Sequence, residues 1–141
     1  MYDLAIVGAG IVGLAHALAA ARRGKKVVVI DRDAQANGAS IRNFGFVTVT
    51  GQEAGDCWNM ARRACAVWAE IAPQADIEIL QRGLVMTARF PESEAVVDAF
   101  LATEMGEGCQ RLTAAEAAKK VPALRPDAVR AALYSPHDLR V

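Results

Sequence analysis

The segment Gly8-Ala9-Gly10-Ile11-Val12-Gly13 constrains the fold more than any other part of this sequence. It is a G-x-G-x-x-G turn, and its neighbours are the ones such a turn requires. Before it, Asp3 to Val7 (DLAIV) is a short apolar run that reads as a buried strand. After it, a helical pattern runs from Ile11 to about Arg23, with Leu14, Leu18 and Ala21 on one face. Arg22 and Arg23 suit the negative end of the helix dipole, and Gly24 suits the stop. Lys26 to Ile30 (KVVVI) is a second strand, continuously apolar as in parallel sheets. It ends in Asp31, 18 residues beyond Gly13. Strand, helix and parallel strand make a βαβ unit of the dinucleotide-binding kind.

Each residue of the turn has a physical task. Gly8 permits the tight turn, Gly10 lets a pyrophosphate approach the backbone, and Gly13 lets the helix pack close to the sheet. The helix N-terminus offers N–H donors and a positive dipole end to the phosphate. Asp31 can accept from both hydroxyls of an adenosine ribose, and its charge disfavours a 2′-phosphate. NAD and FAD both place an ADP moiety here, so these residues leave the two open.

Leu4 to Ala21 holds no acidic or basic residue and is long enough to raise the question of a membrane span. His16 and three glycines within it, and the lack of a basic residue before it, favour the strand–turn–helix reading. Sixteen basic and sixteen acidic residues cancel, which gives no case for nucleic acid or an anionic membrane as partner. A hydrophobic share of 53% argues against disorder. Cys57, Cys65 and Cys109 are odd in number and widely spaced, so they read as reduced, buried thiols of a cytoplasmic protein rather than a disulfide or zinc framework.

Ala34 to Gly55 is a long loop rich in Gly, Asn, Ser and Thr, and such loops are usually functional. A helix is expected from Glu53 to Ala72, with Cys57, Ala61, Ala64, Trp68 and Ile71 on one face, Trp58, Cys65 and Ala72 alongside, and Pro73 as its end. Ile77–Leu80 and Leu84–Thr87 read as a hairpin around Gln81-Arg82-Gly83. Pro91 opens a helix whose apolar stripe extends to Met105. Thr113 to Glu116 has capping-box spacing and starts a helix that stops before Pro122. Ala131–Tyr134 reads as a last strand. His16 reads as structural, and His137-Asp138 as an exposed pair.

A second segment, Gly38-Ala39-Ser40-Ile41-Arg42-Asn43-Phe44-Gly45-Phe46-Val47, follows the acidic strand end closely. Together with GAGIVG and Asp31-Arg32 it resembles the D-amino-acid oxidase-like (glycine/sarcosine oxidase) family of FAD enzymes. The likeness runs along the whole chain and is specific over residues 3 to 47. It implies an α/β fold: a Rossmann-like FAD-binding βαβ unit followed by the start of an α+β substrate domain. Residues 1–75 would be the N-terminal part of the FAD-binding domain and 76–141 the beginning of the substrate domain, so the chain reads as an N-terminal fragment, inactive alone.

By the same resemblance, Gly8, Gly10, Ile11, Val12 and Gly13 would meet the pyrophosphate turn, Asp31 the ribose, and Arg32 the adenine end. Ala39, Ser40, Asn43, Phe44, Gly45 and Phe46 would lie along the ribityl chain and flavin ring. Arg42 would face the flavin or a substrate anion, or serve the loop itself. The implied activity is oxidation of the C–N bond of a small amine or amino acid by hydride transfer to FAD, followed by imine hydrolysis. The run ASIRNFGFVT is most similar to a subgroup linked to phosphonate breakdown, which would make an aminophosphonate the substrate. An NAD-dependent dehydrogenase domain and a non-catalytic nucleotide-binding module are the competing readings. No general base and no metal site stand out.

Overall fold

The computed structural model describes residues 1–141, which form two compact units, Met1–Phe44 and Gly45–Val141. The first is the expected βαβ unit. Strand β1 (Leu4–Val7), helix α1 (Ile11–Ala21) and strand β2 (Val27–Ile30) follow in order. The strands pair in parallel, from Leu4 opposite Val27 to Val7 opposite Ile30. Asp3 pins the start of this ladder, its carboxylate accepting from the Lys26 N–H at 2.8 Å. No residue of α1 is buried within this unit, and Val7 is 89% exposed.

The second unit is an antiparallel sheet with helices. Its elements are β3 (Phe46–Val47), α2 (Asp56–Gln74), β4 (Gln81–Ala88), α3 (Pro91–Leu101), β5 (Gln110–Leu112), α4 (Ala114–Lys120) and β6 (Ala131–Arg140). Strand β6 is central. β4 pairs along one edge of it, while β3 and β5 share the other. Successive side chains of β6 point to opposite faces. Ala131 and Leu133 accordingly pack with Ala88 and Val97 of α3, and Ala132 packs with Leu112 and Ala117 of α4.

Several elements differ from the sequence reading. Gln81-Arg82-Gly83 is not a hairpin turn but the start of β4, and Ile77–Leu80 forms no strand. Gly83 marks a bulge, where the register jumps from Arg82–Leu139 to Leu84–Ser135. The same bulge lets β6 run past Pro136 to Arg140 instead of stopping at Tyr134. Pro136 has no ladder partner there, so its missing N–H costs no sheet hydrogen bond. Helix α2 continues through Pro73 to Gln74. Proline in the last turn removes one bond only, and the Ala75 N–H closes the turn onto Ile71 and Ala72. Helix α3 ends at Leu101, and Met105 lies in a separate 3-10 turn, Glu104–Gly106. The short strands β3 and β5 have no signal of their own in the sequence. The cysteines are free but not buried: Cys57 is exposed, and Cys65 and Cys109 are half-buried.

The capping box forms as expected. The Thr113 hydroxyl accepts from the Glu116 N–H, and the Glu116 carboxylate accepts from the Thr113 N–H at 2.8 Å. The bond from the Thr113 N–H first, and then one from the Thr113 hydroxyl at 2.8 Å, hold the Glu116 carboxyl below the usual glutamate range. Thr113→Ala is expected to cost about 1 kcal/mol, seen as a lower denaturation midpoint at neutral pH. Because the folded-state pKa is depressed, the Glu116 contribution is present above the usual glutamate range and lost as pH falls through the folded value. Alanine keeps the backbone bond and removes the hydroxyl that donates to the carboxylate, so the part of the gap due to that bond should narrow in acid.

Candidate functional site: the glycine turn and its loop

The turn after β1 shows why its glycines stand where they do. Gly8 has a φ of +102°, a conformation that L side chains rarely adopt. At Gly13 a Cβ would fall on the Gly8 carbonyl oxygen, well inside van der Waals contact, and 3.3 Å from Cγ2 of Ile6. The first turn of α1 therefore lies directly against the strand–turn junction. The helix starts at Gly10, which has no side chain to cap it. Ser40, from the following loop, supplies the missing oxygen: its Oγ accepts from the Ile11 N–H at 2.9 Å.

Asp31 closes the other side of the turn. One carboxylate oxygen accepts from the Ala9 N–H at 2.6 Å, the other from the Asp33 N–H at 2.9 Å. These two bonds, Ala9 first, hold its carboxyl below the usual aspartate range, so it stays ionised. Each carboxylate oxygen can accept more than one hydrogen bond, which leaves capacity for ribose hydroxyls. Arg32 is exposed, in a loose pair with Asp33 at 3.4 Å.

A cleft of about 230 Å³ runs between the turn and the loop. Ala9, Gly10, Asp31 and Ser40, all but Ala9 named from the sequence, line one side. Asp33 to Gly38 line the rest, and sequence reasoning missed them because nothing separates them from any polar loop. A Cβ at Gly10 would come within 3.2 Å of Ser40 Oγ, so the bare glycine keeps this face of the cleft open. Open backbone, a helix N-terminus and an ionised carboxylate together fit an ADP pyrophosphate and ribose.

Beyond Ser40 the loop is a run of turns. The Ile41 N–H donates to Gly38 and the Arg42 N–H to Ala39. The Asn43 side-chain amide donates to the carbonyls of Ala39 (3.1 Å) and Ser40 (3.0 Å). Ala39, Arg42 and Phe44 are exposed. Gly45 and Phe46 belong to the second unit, with Phe46 in β3 beside the Arg140 guanidinium. His16 points back along α1, its Nδ1 2.7 Å from the Val12 carbonyl oxygen, in keeping with a structural role.

The second unit holds the larger surprise. Asp138 is not exposed but 4% accessible. Its carboxylate accepts from the Val49 and Thr50 N–H groups (2.7 and 3.0 Å) and from the Thr50 hydroxyl (2.5 Å). His137 is tied through Nε2 to the Glu107 carbonyl oxygen. Trp58 is buried, with the Arg62 guanidinium 4.8 Å above its ring. No cluster of His, Cys, Asp and Glu could hold a metal ion, and no helix is long and apolar enough to cross a membrane.

Residues 3–141 match the family described as DAO, FAD dependent oxidoreductase. Glycine oxidase of Geobacillus kaustophilus (strain HTA426) is 27% identical over 150 residues, spanning 99% of this chain and 40% of that protein. Glycine oxidase from Bacillus cereus ATCC 14579 superposes with a TM-score of 0.82 at 25% identity, over 100% of this chain and 40% of that one. L-proline dehydrogenase from P. horikoshii shares the fold, with a TM-score of 0.85 at 22% identity over 99% of this chain and 38% of that one. The chain thus spans about 40% of the length of these relatives. On the match over nearly all its residues, the chain belongs to the DAO family of FAD-dependent oxidoreductases.

Proposed function

We propose that this chain supplies the ADP-binding turn and the first flavin-contacting loop of an enzyme that oxidises the C–N bond of a small amine or amino acid. The observation that carries the reading is the cleft in which Gly10 leaves the backbone bare beside the ionised Asp31 carboxylate. Gly8, Gly10, Ile11, Val12 and Gly13 form the turn that meets the pyrophosphate, Asp31 holds the ribose, and Arg32 lies beside the adenine. Ala39, Ser40, Asn43, Phe44, Gly45 and Phe46 follow the ribityl chain and ring. Arg42 offers an exposed cation to the flavin or to a substrate carboxylate or phosphonate. FAD, when bound, supplies the ring that accepts the hydride.

On this reading residues 1–75 belong to the FAD-binding domain and 76–141 open the substrate domain. The only titratable side chains lining the cleft are Asp31 and Asp33, which suits binding rather than proton transfer. Glycine oxidase as a relative supports an amino acid as substrate, and the ASIRNFGFVT run supports an aminophosphonate within the amine class. The test is anaerobic mixing of the natural full-length protein with glycine, sarcosine, D-alanine and 2-aminoethylphosphonate. A flavin spectrum bleached by one of these amines is expected. A protein without flavin absorption that binds NADH instead would replace this reading with a dehydrogenase.

A further inference from the structure

Strand β3 is only two residues long, Phe46 opposite Arg140 and Val47 opposite Leu139. A pairing this short does little to define its own register, and a slip of one residue would turn Phe46 to the other face. The neighbouring backbone adds one bond, from the Val141 N–H to the Gly45 carbonyl oxygen at 3.0 Å. Past Val47 the ladder stops, and a side chain takes over. Asp138, next to Leu139 on β6, receives the N–H groups of Val49 and Thr50 on one carboxylate oxygen and the Thr50 hydroxyl on the other. Val49 is 1% exposed and Thr50 8%, so these donors have no water to turn to.

A buried carboxylate is costly unless its hydrogen bonds are satisfied. A packed apolar residue often serves stability as well, and fixing register is the best-attested use of a buried charged group. We propose that Asp138 is a positioning residue for the cofactor: it fixes the register of Gly45–Thr50 on β6, so that Gly45 and Phe46 present one defined backbone to the flavin. This rests on the reading above that those two residues contact the flavin. Asp138, buried and bonded to Val49 and Thr50, acts through that segment.

The test compares three variants of the natural full-length protein. Asp138→Asn keeps the shape and one strong acceptor. Thr50→Val keeps the carboxylate and both backbone bonds and removes only the hydroxyl. Leu112→Ala, in the core on the α4 side of the sheet, is the control for general loss of stability. FAD affinity of the apoprotein, visible circular dichroism of the bound flavin, and amide exchange at Val49 and Thr50 are the readouts. Asp138→Asn should weaken FAD about fivefold, alter the flavin dichroism and speed exchange at both amides. Thr50→Val should shift all three in the same direction by less. Leu112→Ala should lower the melting temperature and leave dichroism and affinity as in wild type. Wild-type dichroism and affinity in Asp138→Asn would overturn the proposal, as would equal changes in Leu112→Ala. A wild-type protein that holds no FAD is a distinct result and overturns the proposed cofactor site first.

Discussion

Gly13→Ala is expected to abolish FAD binding and to destabilise the βαβ unit by about 3 kcal/mol or more. The added methyl has nowhere to go. It would lie far inside contact distance of the Gly8 carbonyl oxygen and 3.1 Å from the Gly8 carbonyl carbon. Both are backbone atoms of the turn itself, so no side-chain rotation relieves the clash. Either α1 moves away from β1 or Gly8 leaves its +102° conformation, and both outcomes break the cradle. Gly10→Ala is the informative contrast. Its methyl would meet only Ser40 Oγ, at 3.2 Å, which can rotate. The fold should survive while the methyl intrudes on the phosphate face. Thermal denaturation and FAD titration of the two variants should therefore separate: stability and binding lost together in Gly13→Ala, binding reduced with the fold kept in Gly10→Ala. Two variants with equal melting temperatures would sink this account of the turn.

The βαβ unit was legible because its information is local. A strand, a turn and a helix adjoin, and the acidic strand end lies at a fixed distance from the glycines. The capping box at Thr113 and Glu116 was legible for the same reason. The second unit is built from pairings between distant segments. β4 meets β6 some 50 residues on, and nothing near Gly83 distinguishes a bulge glycine from a turn glycine. The strand expected at Ala131–Tyr134 runs on to Arg140 because Pro136 sits in a bulge without a ladder partner, which no local pattern encodes. Asp138 carries no local mark of burial, since its partners Val49 and Thr50 are nearly 90 residues away. In the site itself, the roles of the glycines and Asp31 follow from spacing. That Ser40 would cap α1 in place of the side chain Gly10 lacks depends on a loop conformation no spacing rule encodes.

Asp31→Ala should weaken FAD by roughly ten- to a hundredfold while the protein stays folded. The carboxylate has two duties at one point. It binds the Ala9 and Asp33 N–H groups, which draws the end of β2 against the glycine turn, and it lines the cleft where the ribose would lie. Alanine removes both. Asp31→Asn keeps the shape and one good acceptor and should fall between alanine and wild type. Acidity separates a charged acceptor from a merely well-shaped one. The Ala9 and Asp33 N–H groups stabilise the ionised form, so its pKa lies below the usual aspartate range. A depressed folded value means that its contribution is intact above the usual range and is lost as pH falls through the folded value. Wild-type FAD affinity should thus hold through the ordinary aspartate range and drop only in stronger acid. The asparagine variant has no proton to gain and should lack that drop. Fluorescence titration of FAD across this acid window decides the matter: a wild-type affinity that declines already within the ordinary aspartate range, or declines equally in Asp31→Asn, would show that the carboxylate charge does not hold the ribose.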